Sequence, residues 1–129
     1  MKLWIDDIRP APEGYEWCKS VNEAKCKIIE LEKQIEFIEK KANDAFKQHH
    51  TIQARQIRKL AMRRNIEFID IDHDAGEYAS DGGDYIKLLD WFEETGRHYP
   101  IHIHSMNPVG VENIRRIIQK NGWVEIKYT

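Results

Sequence analysis

An acid, a histidine and a second acid, Asp72-His73-Asp74, directly follow an apolar alternating segment near the middle of the chain. An imidazole titrates near neutral pH and can pass protons, and carboxylates can bind divalent cations or act as bases. A polar turn at the end of a strand would explain the same three residues without any chemistry. The rest of the sequence has to distinguish these two interpretations.

Two further polar clusters follow strand-like segments. Asp6-Asp7 come after residues 2–5, and His104-Ser105 end the segment that begins at Ile101. The carboxyl ends of parallel strands lie on one edge of a sheet, which is where open α/β folds bind ligands. The three clusters together therefore favour a single site at this edge over three unrelated turns.

The charges expected at this edge favour a bound cation. Four aspartates would repel one another and any phosphate: Asp6, Asp7, Asp72 and Asp74. A divalent metal relieves this repulsion, and hard oxygen ligands suit Mg²⁺ or Mn²⁺ better than Zn²⁺. The metal could polarise a phosphoryl oxygen and activate a water molecule. His73 and His104 would serve as general base and general acid beside Asp72, which makes these three the predicted catalytic residues.

Other polar residues near the clusters are predicted to bind the substrate. Arg9 can hold a phosphate through two parallel hydrogen bonds, and Asn107 caps a helix whose first amides point toward the same edge. His102 shares a strand face with His104 but lies deeper, so the sequence leaves open whether it binds substrate or is a hydrogen-bonded structural residue. Asp74 and Asn107 also have ordinary roles, as a turn residue and a helix cap.

Alternating strand and helix patterns predict the sheet that would position these residues. The order is strand, strand, helix, strand, helix, strand, helix, strand, with strands near residues 2–5, 15–19, 66–71, 101–104 and 123–128. Ser20, with Glu23 three positions later, is the predicted start of the first helix, and Asn107-Pro108 start the last. Such alternation is typical of a parallel α/β sheet, so we expect one domain over residues 1–129.

The connection between the second and third strands is longer than a crossover requires. Residues 21–64 contain no proline or glycine, and a single helix of this length would extend roughly 65 Å. Because the chain must return to the sheet, residues 31–64 are predicted to form an inserted helical hairpin. Its tip is expected at residues 47–50, with Asn43-Asp44 as the alternative.

The two arms of this hairpin differ in character. Apolar residues at three- and four-residue spacing give the first arm a packing seam: Ile28, Leu31, Ile35, Ile38, Ala42 and Ala45. The returning arm is basic, since residues 51–65 contain five arginines or lysines and no acid. The extension of a crossover helix projects from the edge opposite the site, so these cations cannot reach their own site. We expect a homo-oligomer through residues 31–64, in which they meet a neighbouring copy.

The bulk composition excludes several classes of protein. A formal net charge of −2 gives no reason to expect tight binding to long nucleic acids or to membranes. Two cysteines, Cys18 and Cys26, make no disulfide framework and indicate a reducing compartment. The first residues lack a signal-peptide pattern, and no apolar run approaches the length of a membrane span, so a cytoplasmic protein is expected.

Four segments resemble a known family. They are LWIDDIRPAPEGYEW, IDIDHDAG, GGDYIKLLDWF and IHIHSMNPVGVENI, and they resemble the cyclic-phosphate processing receiver-like domain family, a relative of response-regulator receiver domains. The positions that match its motifs are Asp6, Asp7, Arg9 and Pro10, then Asp72, His73, Asp74 and Gly76, then His104, Ser105, Asn107, Pro108 and Gly110. Ala75 stands where family members usually carry leucine.

The resemblance implies a doubly wound, flavodoxin-like sheet in which a loop replaces the first helix. In receivers, an acidic pair after the first strand and an aspartate after the third hold Mg²⁺, and that aspartate accepts a phosphoryl group. A serine or threonine after the fourth strand contacts the phosphoryl oxygens. Asp6, Asp7, Asp72 and Ser105 occupy those positions. The added histidines depart from this pattern. Receivers also carry a lysine at the site, and this sequence has no clear counterpart for it, Lys127 being a weak candidate. These departures disfavour a phosphorelay.

These residues are compatible with three alternative functions. The first is a metal-assisted phosphoesterase, a phosphodiesterase-like hydrolase that cleaves a cyclic or diester phosphate of a nucleotide. The resemblance implies that this cleavage could counter nucleotide-based immune signalling, as a phage defence would require. The second is a non-catalytic protein that sequesters a cyclic nucleotide, using Tyr78, Tyr85 and the basic arm. The third is a degenerate receiver that signals through protein contacts. Histidines beside carboxylates favour the first, because storage requires donors and stacking surfaces more than acid–base groups.

Overall fold

The computed structural model describes residues 1–128 as a parallel sheet with helices. The strands are β1 (Lys2–Ile5), β2 (Tyr15–Cys18), β3 (Phe68–Ile71) and β4 (Ile101–Ile103). The helices are α1 (Val21–Lys47), α2 (Thr51–Arg64), α3 (Ile86–Thr95) and α4 (Pro108–Asn121), with a 3₁₀ turn at Gly76–Ser80. All strand pairs are parallel, in the order β2-β1-β3-β4. This is a receiver-like α/β arrangement, with β1 and β3 side by side at the centre.

Side-chain caps explain where two of the helices begin. The Ser20 hydroxyl accepts a hydrogen bond from the Glu23 backbone N–H at 3.0 Å, as the sequence pattern predicts. The Asn107 side-chain oxygen accepts from the Gly110 N–H at 3.1 Å, and Pro108 occupies the first helical position, where its missing N–H costs no hydrogen bond. The second cap starts α4 a few residues beyond the end of β4.

The hydrophobic core lies on one face of the sheet. Side chains alternate between the two faces along a strand, and the core takes alternate residues of β1, β3 and β4: Leu3, Ile5, Ile69, Ile71 and Ile101. Helices α1, α3 and α4 all contribute buried residues to this same cluster. Trp4, Asp70 and His102, which are paired across the three strands, belong to the opposite face.

This one-sided core differs from the doubly wound sheet that the family resemblance implies, in which helices cover both faces. Residues 6–14, between β1 and β2, form turns and irregular structure, and no helix follows α4 in the part of the chain described. Pro10, Pro12 and Gly14 disfavour a helix in the first of these segments. The face opposite the core is consequently lined by side chains of the strands themselves.

The predicted final strand at residues 123–128 is wrong in its extent. The segment makes one isolated parallel bridge, between Glu125 and Ile101, with two backbone hydrogen bonds to Ile101. Because β4 has only three residues, it offers a short edge for pairing. Beyond the bridge, the Tyr128 ring packs against the His102 ring with their centroids 4.6 Å apart.

Helices α1 and α2 are joined by residues 48–50 and pack against each other. The reversal therefore lies near the expected tip, and Asn43-Asp44 fall inside α1. Arg58 donates a hydrogen bond to Asn43 and Arg64 donates one to Gln34, so later residues of α2 meet earlier residues of α1. The two helices are antiparallel. That they form an insertion relative to related domains remains a prediction.

The α1–α2 pair extends beyond the amino ends of the strands. Glu32 of α1 accepts hydrogen bonds from Arg97 and Tyr99, which precede β4. The carbonyl of Asn65, directly after α2, accepts one from the amino group of Met1. The outer part of the hairpin therefore projects away from the carboxyl edge of the sheet. None of the helices in residues 1–128 has both the length and the apolar character needed to span a membrane.

Candidate functional site

Three predicted site residues lie at the same level of the sheet. The strand register aligns the residues that directly follow β1, β3 and β4: Asp6, Asp72 and His104. The Asp72 backbone N–H donates to Ile5 at 2.9 Å, and the His104 N–H donates to Ile71 at 3.0 Å. These bonds continue the ladder past the strand ends. Residues from three distant segments are thereby brought to one edge, on the face opposite the core.

Asp6, Asp7 and Asp72 form a carboxylate cluster. Each offers one oxygen, and these oxygens lie within 4.8 Å of one another. Asp6 is the most enclosed of the three, with 1 % of its surface exposed. Its Oδ1 accepts hydrogen bonds from the backbone N–H groups of Ile8 and Arg9, both at 2.9 Å. The turn after β1 is therefore folded around the Asp6 carboxylate.

Charges within the carboxylate cluster oppose one another. Burial raises the pKa of the Asp7 carboxyl, and the neighbouring charges of Asp6 and Asp72 raise it further. Burial also acts to raise the pKa of Asp6, but hydrogen bonds from the two backbone amides of the turn and from His104 outweigh it and hold that pKa below its ordinary value. A positive ion between the three carboxylates would relieve this repulsion.

The ligand atoms of the cluster fit a hard divalent cation. All three are carboxylate oxygens, which Mg²⁺ and Mn²⁺ prefer, whereas Zn²⁺ sites usually include nitrogen or sulfur. Gly76, with a φ of +55°, lies so close to Asp7 that a β carbon at this position would overlap the Asp7 Oδ2 atom. The missing side chain at Gly76 leaves the space in which Asp7 faces the other two carboxylates.

The His104 ring lies between two buried carboxylates. Its Nε2 is 2.8 Å from Asp6 Oδ2, and its Nδ1 is 2.6 Å from Asp70 Oδ1. The ring is stacked on Trp4, with centroids 3.9 Å apart and planes 4° from parallel. Arg9 Nη1 donates a hydrogen bond of 2.8 Å to the His104 carbonyl. Both the ring and the backbone of His104 are therefore held in place.

Asp70 is a residue of this site that the sequence analysis missed. It lies inside β3, is 3 % exposed, and accepts a 2.8 Å hydrogen bond from His102 on the same oxygen that contacts His104. A signal was available, because a carboxylate inside a short apolar strand is rarely buried without a partner. The histidines two residues apart in the neighbouring strand are the partners that this signal implies.

His73, Asp74 and Asn107 form a second polar group. His73 Nδ1 is 2.9 Å from Asp74 Oδ1, and the Asn107 side chain donates to Asp74 Oδ2 at 3.4 Å. The hydrogen bond from His73 is the main reason why the pKa of Asp74 lies below its ordinary value. Asp74, predicted as a fourth metal ligand, is thus engaged by these two residues and is not among the three clustered carboxylates.

The residues predicted to bind phosphate lie at the same edge and have contacts of their own. The Ser105 hydroxyl accepts a hydrogen bond from the Asn107 backbone N–H at 3.1 Å, and Arg9 holds the His104 carbonyl. His102 is hydrogen-bonded to Asp70, which corresponds to the structural alternative for this residue. Contact of any of these residues with a substrate remains a prediction.

Most of the chain, including this edge of the sheet, matches the model of one protein family. The model of the family described as the cyclic-phosphate processing receiver domain matches residues 1–120. This chain belongs to that family. The match includes β1 to β4 and every site residue described above. No curated protein and no solved structure matches the chain.

In this receiver domain, a cavity of about 280 Å³ opens beside the carboxylate cluster, lined by Asp7, Ile8, Gly76, Glu77 and Tyr78. A larger cavity of about 470 Å³ lies between α1 and α2, where its lining includes Ile35, Arg58 and Met62. The smaller cavity is the one relevant to the site, because Asp7 belongs to both it and the cluster. Part of a ligand bound at the cluster could occupy it.

Of the two tyrosines considered for ligand binding in this receiver domain, only Tyr78 is available. Tyr85 is fully buried, and its hydroxyl donates a 2.7 Å hydrogen bond to the Lys19 carbonyl. Burial raises the pKa of Tyr85 far above its ordinary value, and the nearby carboxylates raise it further. Tyr85 therefore offers no surface on which a ligand could stack.

Proposed function

We propose that this receiver domain is a metal-assisted phosphoesterase that cleaves a cyclic or diester phosphate of a nucleotide. The observation that carries the proposal is the meeting of Asp6, Asp7 and Asp72 with the His104 ring at one edge of the sheet. Three carboxylates alone would repel a phosphate, so a cation is needed before an anionic substrate can approach. The family description, cyclic-phosphate processing, agrees with such a substrate.

The proposed cofactor is Mg²⁺ or Mn²⁺, held by Asp6, Asp7 and Asp72. When bound, it supplies charge stabilisation at a phosphoryl oxygen and a more acidic water. In the hydrolysis, a water oxygen bonds to phosphorus, one phosphorus–oxygen ester bond breaks, and the departing oxygen takes a proton. His104 and His73 are proposed to accept and donate these protons, because their rings lie at the edge where the substrate would bind.

Binding of the phosphate is assigned to groups beside the cluster. The amino terminus of α4, which begins directly after the Asn107 cap, lies at this edge, and its partial positive charge attracts anions. Arg9 lies next to His104 and adds a positive charge. Ser105 is proposed as a hydroxyl donor to a phosphoryl oxygen.

The test is incubation of the protein with a panel of cyclic mononucleotides and cyclic dinucleotides, with Mn²⁺, with Mg²⁺ and with a chelator. We expect a linear product from at least one nucleotide, formed only with metal, and loss of that product in the Asp72→Asn and His104→Gln variants. Folded wild-type protein that leaves every nucleotide intact would contradict the proposal. Intact nucleotide recovered after denaturation would instead support sequestration, and labelling of Asp72 by acetyl phosphate would support a receiver role. A role against nucleotide-based immune signalling depends on cleavage of a signalling nucleotide.

We also propose that the chain forms a homo-oligomer through residues 31–64. This segment has nine basic and four acidic side chains, a formal charge of +5, whereas the whole chain carries −2. It also exposes large apolar side chains to solvent: Phe37, Phe46, Ile52, Leu60 and Met62. The basic hairpin of one copy complements the acidic remainder of a second.

Analytical ultracentrifugation tests this assembly. The full chain should sediment as a dimer or larger species, and a variant lacking residues 33–62, or carrying Met62→Ser with Ile52→Ser, should sediment as a monomer. Ile8→Ser is the matched control, because Ile8 is 78 % exposed but lies at the opposite edge. A monomeric wild-type chain, or an oligomer that persists without the hairpin, would rule out this role.

A further inference from the structure

Asp70 is a buried carboxylate with an unusual position and an unusual set of partners. It lies in β3, between β1 and β4, where the register pairs it with Trp4 on one side and His102 on the other. Only 3 % of its surface is exposed. Burying a charged group is costly unless partners replace the lost water, so a strand would ordinarily carry an apolar residue here.

The partners of Asp70 are two imidazoles. His102 Nδ1 lies 2.8 Å and His104 Nδ1 lies 2.6 Å from the same oxygen, Asp70 Oδ1. Both ring nitrogens are within hydrogen-bond distance of this one oxygen, and a carboxylate oxygen can accept hydrogen bonds from both. The contacts therefore direct Nδ1 of each ring toward Asp70 and leave Nε2 on the opposite side of the ring.

For His104 this constraint has a direct consequence at the carboxylate cluster. With Nδ1 directed at Asp70, the opposite ring nitrogen, Nε2, faces Asp6 Oδ2 at 2.8 Å. Stacking on Trp4 fixes the plane of the ring, and Asp70 fixes its rotation within that plane. A carboxylate that orients a histidine in this way fixes the direction in which each ring nitrogen points.

We propose that Asp70 is a positioning residue of the site, which holds the His104 ring so that Nε2 is presented to Asp6 and the carboxylate cluster. Asp70 does not touch the cavity beside the cluster, so it acts through His104. The effect of Asp70 on catalytic rate rests on the proposed function, whereas its effect on the orientation of the ring does not.

Nuclear magnetic resonance of the full chain with ¹⁵N-labelled histidine tests the orientation. In the wild type, the His104 Nδ1 should carry a hydrogen that exchanges slowly with water and resonates far downfield, because the contact is short and buried. Loss of this signal in His104→Gln assigns it. In Asp70→Asn, the signals of both His104 and His102 should change. A His104 Nδ1 without hydrogen in the wild type would overturn the proposal, and this spectrum remains decisive even if Asp70→Asn does not fold.

Kinetics with a cleaved nucleotide test the effect on rate. Asp70→Asn should lower kcat roughly 10- to 100-fold with little change in KM, since the substrate does not contact Asp70. Glu125→Gln is the matched control, because the Glu125 side chain is only 11 % exposed and is hydrogen-bonded to Arg115 at 2.7 Å rather than to His104. An unchanged kcat in Asp70→Asn, or an equal loss in the control, would refute the positioning role. If the wild type cleaves nothing, the proposed function fails while the spectrum still decides the orientation.

Discussion

The imidazole of His73 packs directly against the backbone of Gly110, in the first turn of α4. A β carbon added to Gly110 would lie 2.7 Å from His73 Cβ and Cδ2, and it would overlap Cγ. Gly110 also donates its N–H to the Asn107 cap. A residue without a side chain is therefore required where α4 approaches the loop after β3.

Replacing this glycine should displace the histidine. We expect Gly110→Ala to destabilise the fold by about 1–3 kcal/mol, because the added carbon overpacks a filled space. Denaturant unfolding measures the loss, and Val109→Ala, at an exposed position of the same turn, is the control. In the double variant His73→Ala/Gly110→Ala the two losses should be less than additive. Full additivity would mean that the two residues do not contact each other.

A second glycine provides a test of the carboxylate cluster without removal of any ligand. Gly76→Ala should weaken Mn²⁺ binding, measured by calorimetry, because its β carbon would displace the Asp7 carboxylate. Gly122→Ala is the matched control, since Gly122 also has a positive φ, +67°, but has nothing near its β position. Both variants should lose roughly 1–2 kcal/mol of stability from backbone strain. Equal Mn²⁺ affinity in the two variants would contradict the placement of Asp7.

The aspartates of the Asp72-His73-Asp74 segment should differ in their effect on the metal. Asp72 shares the cluster with Asp6 and Asp7, whereas Asp74 is hydrogen-bonded to His73. Asp72→Asn should therefore lower Mn²⁺ affinity roughly tenfold or more, and Asp74→Asn should change it little. Titration followed by electron paramagnetic resonance of Mn²⁺ distinguishes the two. A large loss in Asp74→Asn would restore Asp74 as a ligand.

The start of α1 should confer a pH-dependent contribution to stability. Asp81 accepts hydrogen bonds from the Ser20 hydroxyl (2.6 Å) and from the Asn22 side chain (3.1 Å), and these two bonds lower its pKa. A carboxylate with a lowered pKa in the folded state stabilises the fold above its unfolded pKa, and this contribution is lost as pH falls through the folded value.

The difference in unfolding free energy between wild type and Asp81→Asn should therefore be constant near neutral pH and should shrink below the ordinary aspartate pKa of about 3.8. Urea unfolding at a series of pH values measures it. Glu77→Gln, an exposed carboxylate in the same loop region, is the control. A difference that does not change between pH 7 and pH 3 would show that the hydrogen bonds do not depend on the charge.

Much of the site could be predicted because the signals are local. Asp6, Asp72 and His104 each directly follow a short strand, and parallel strands end at a common edge, so their convergence follows from the pattern of elements. The Ser20 and Asn107 caps could be predicted for the same reason, because each depends on residues three positions apart in the chain.

The remaining features depend on distances between residues far apart in the chain. Asp70 meets His104 only because β3 and β4 pair in one particular register, and Asp74 faces His73 although it lies two residues from Asp72. The one-sided core and the shortened final strand likewise follow from how the elements pack. The amino-acid sequence by itself determined the chemical groups and the strand ends that carry them. Only the tertiary structure decided which carboxylates share a site, because that depends on side-chain direction and strand register, which no local pattern encodes.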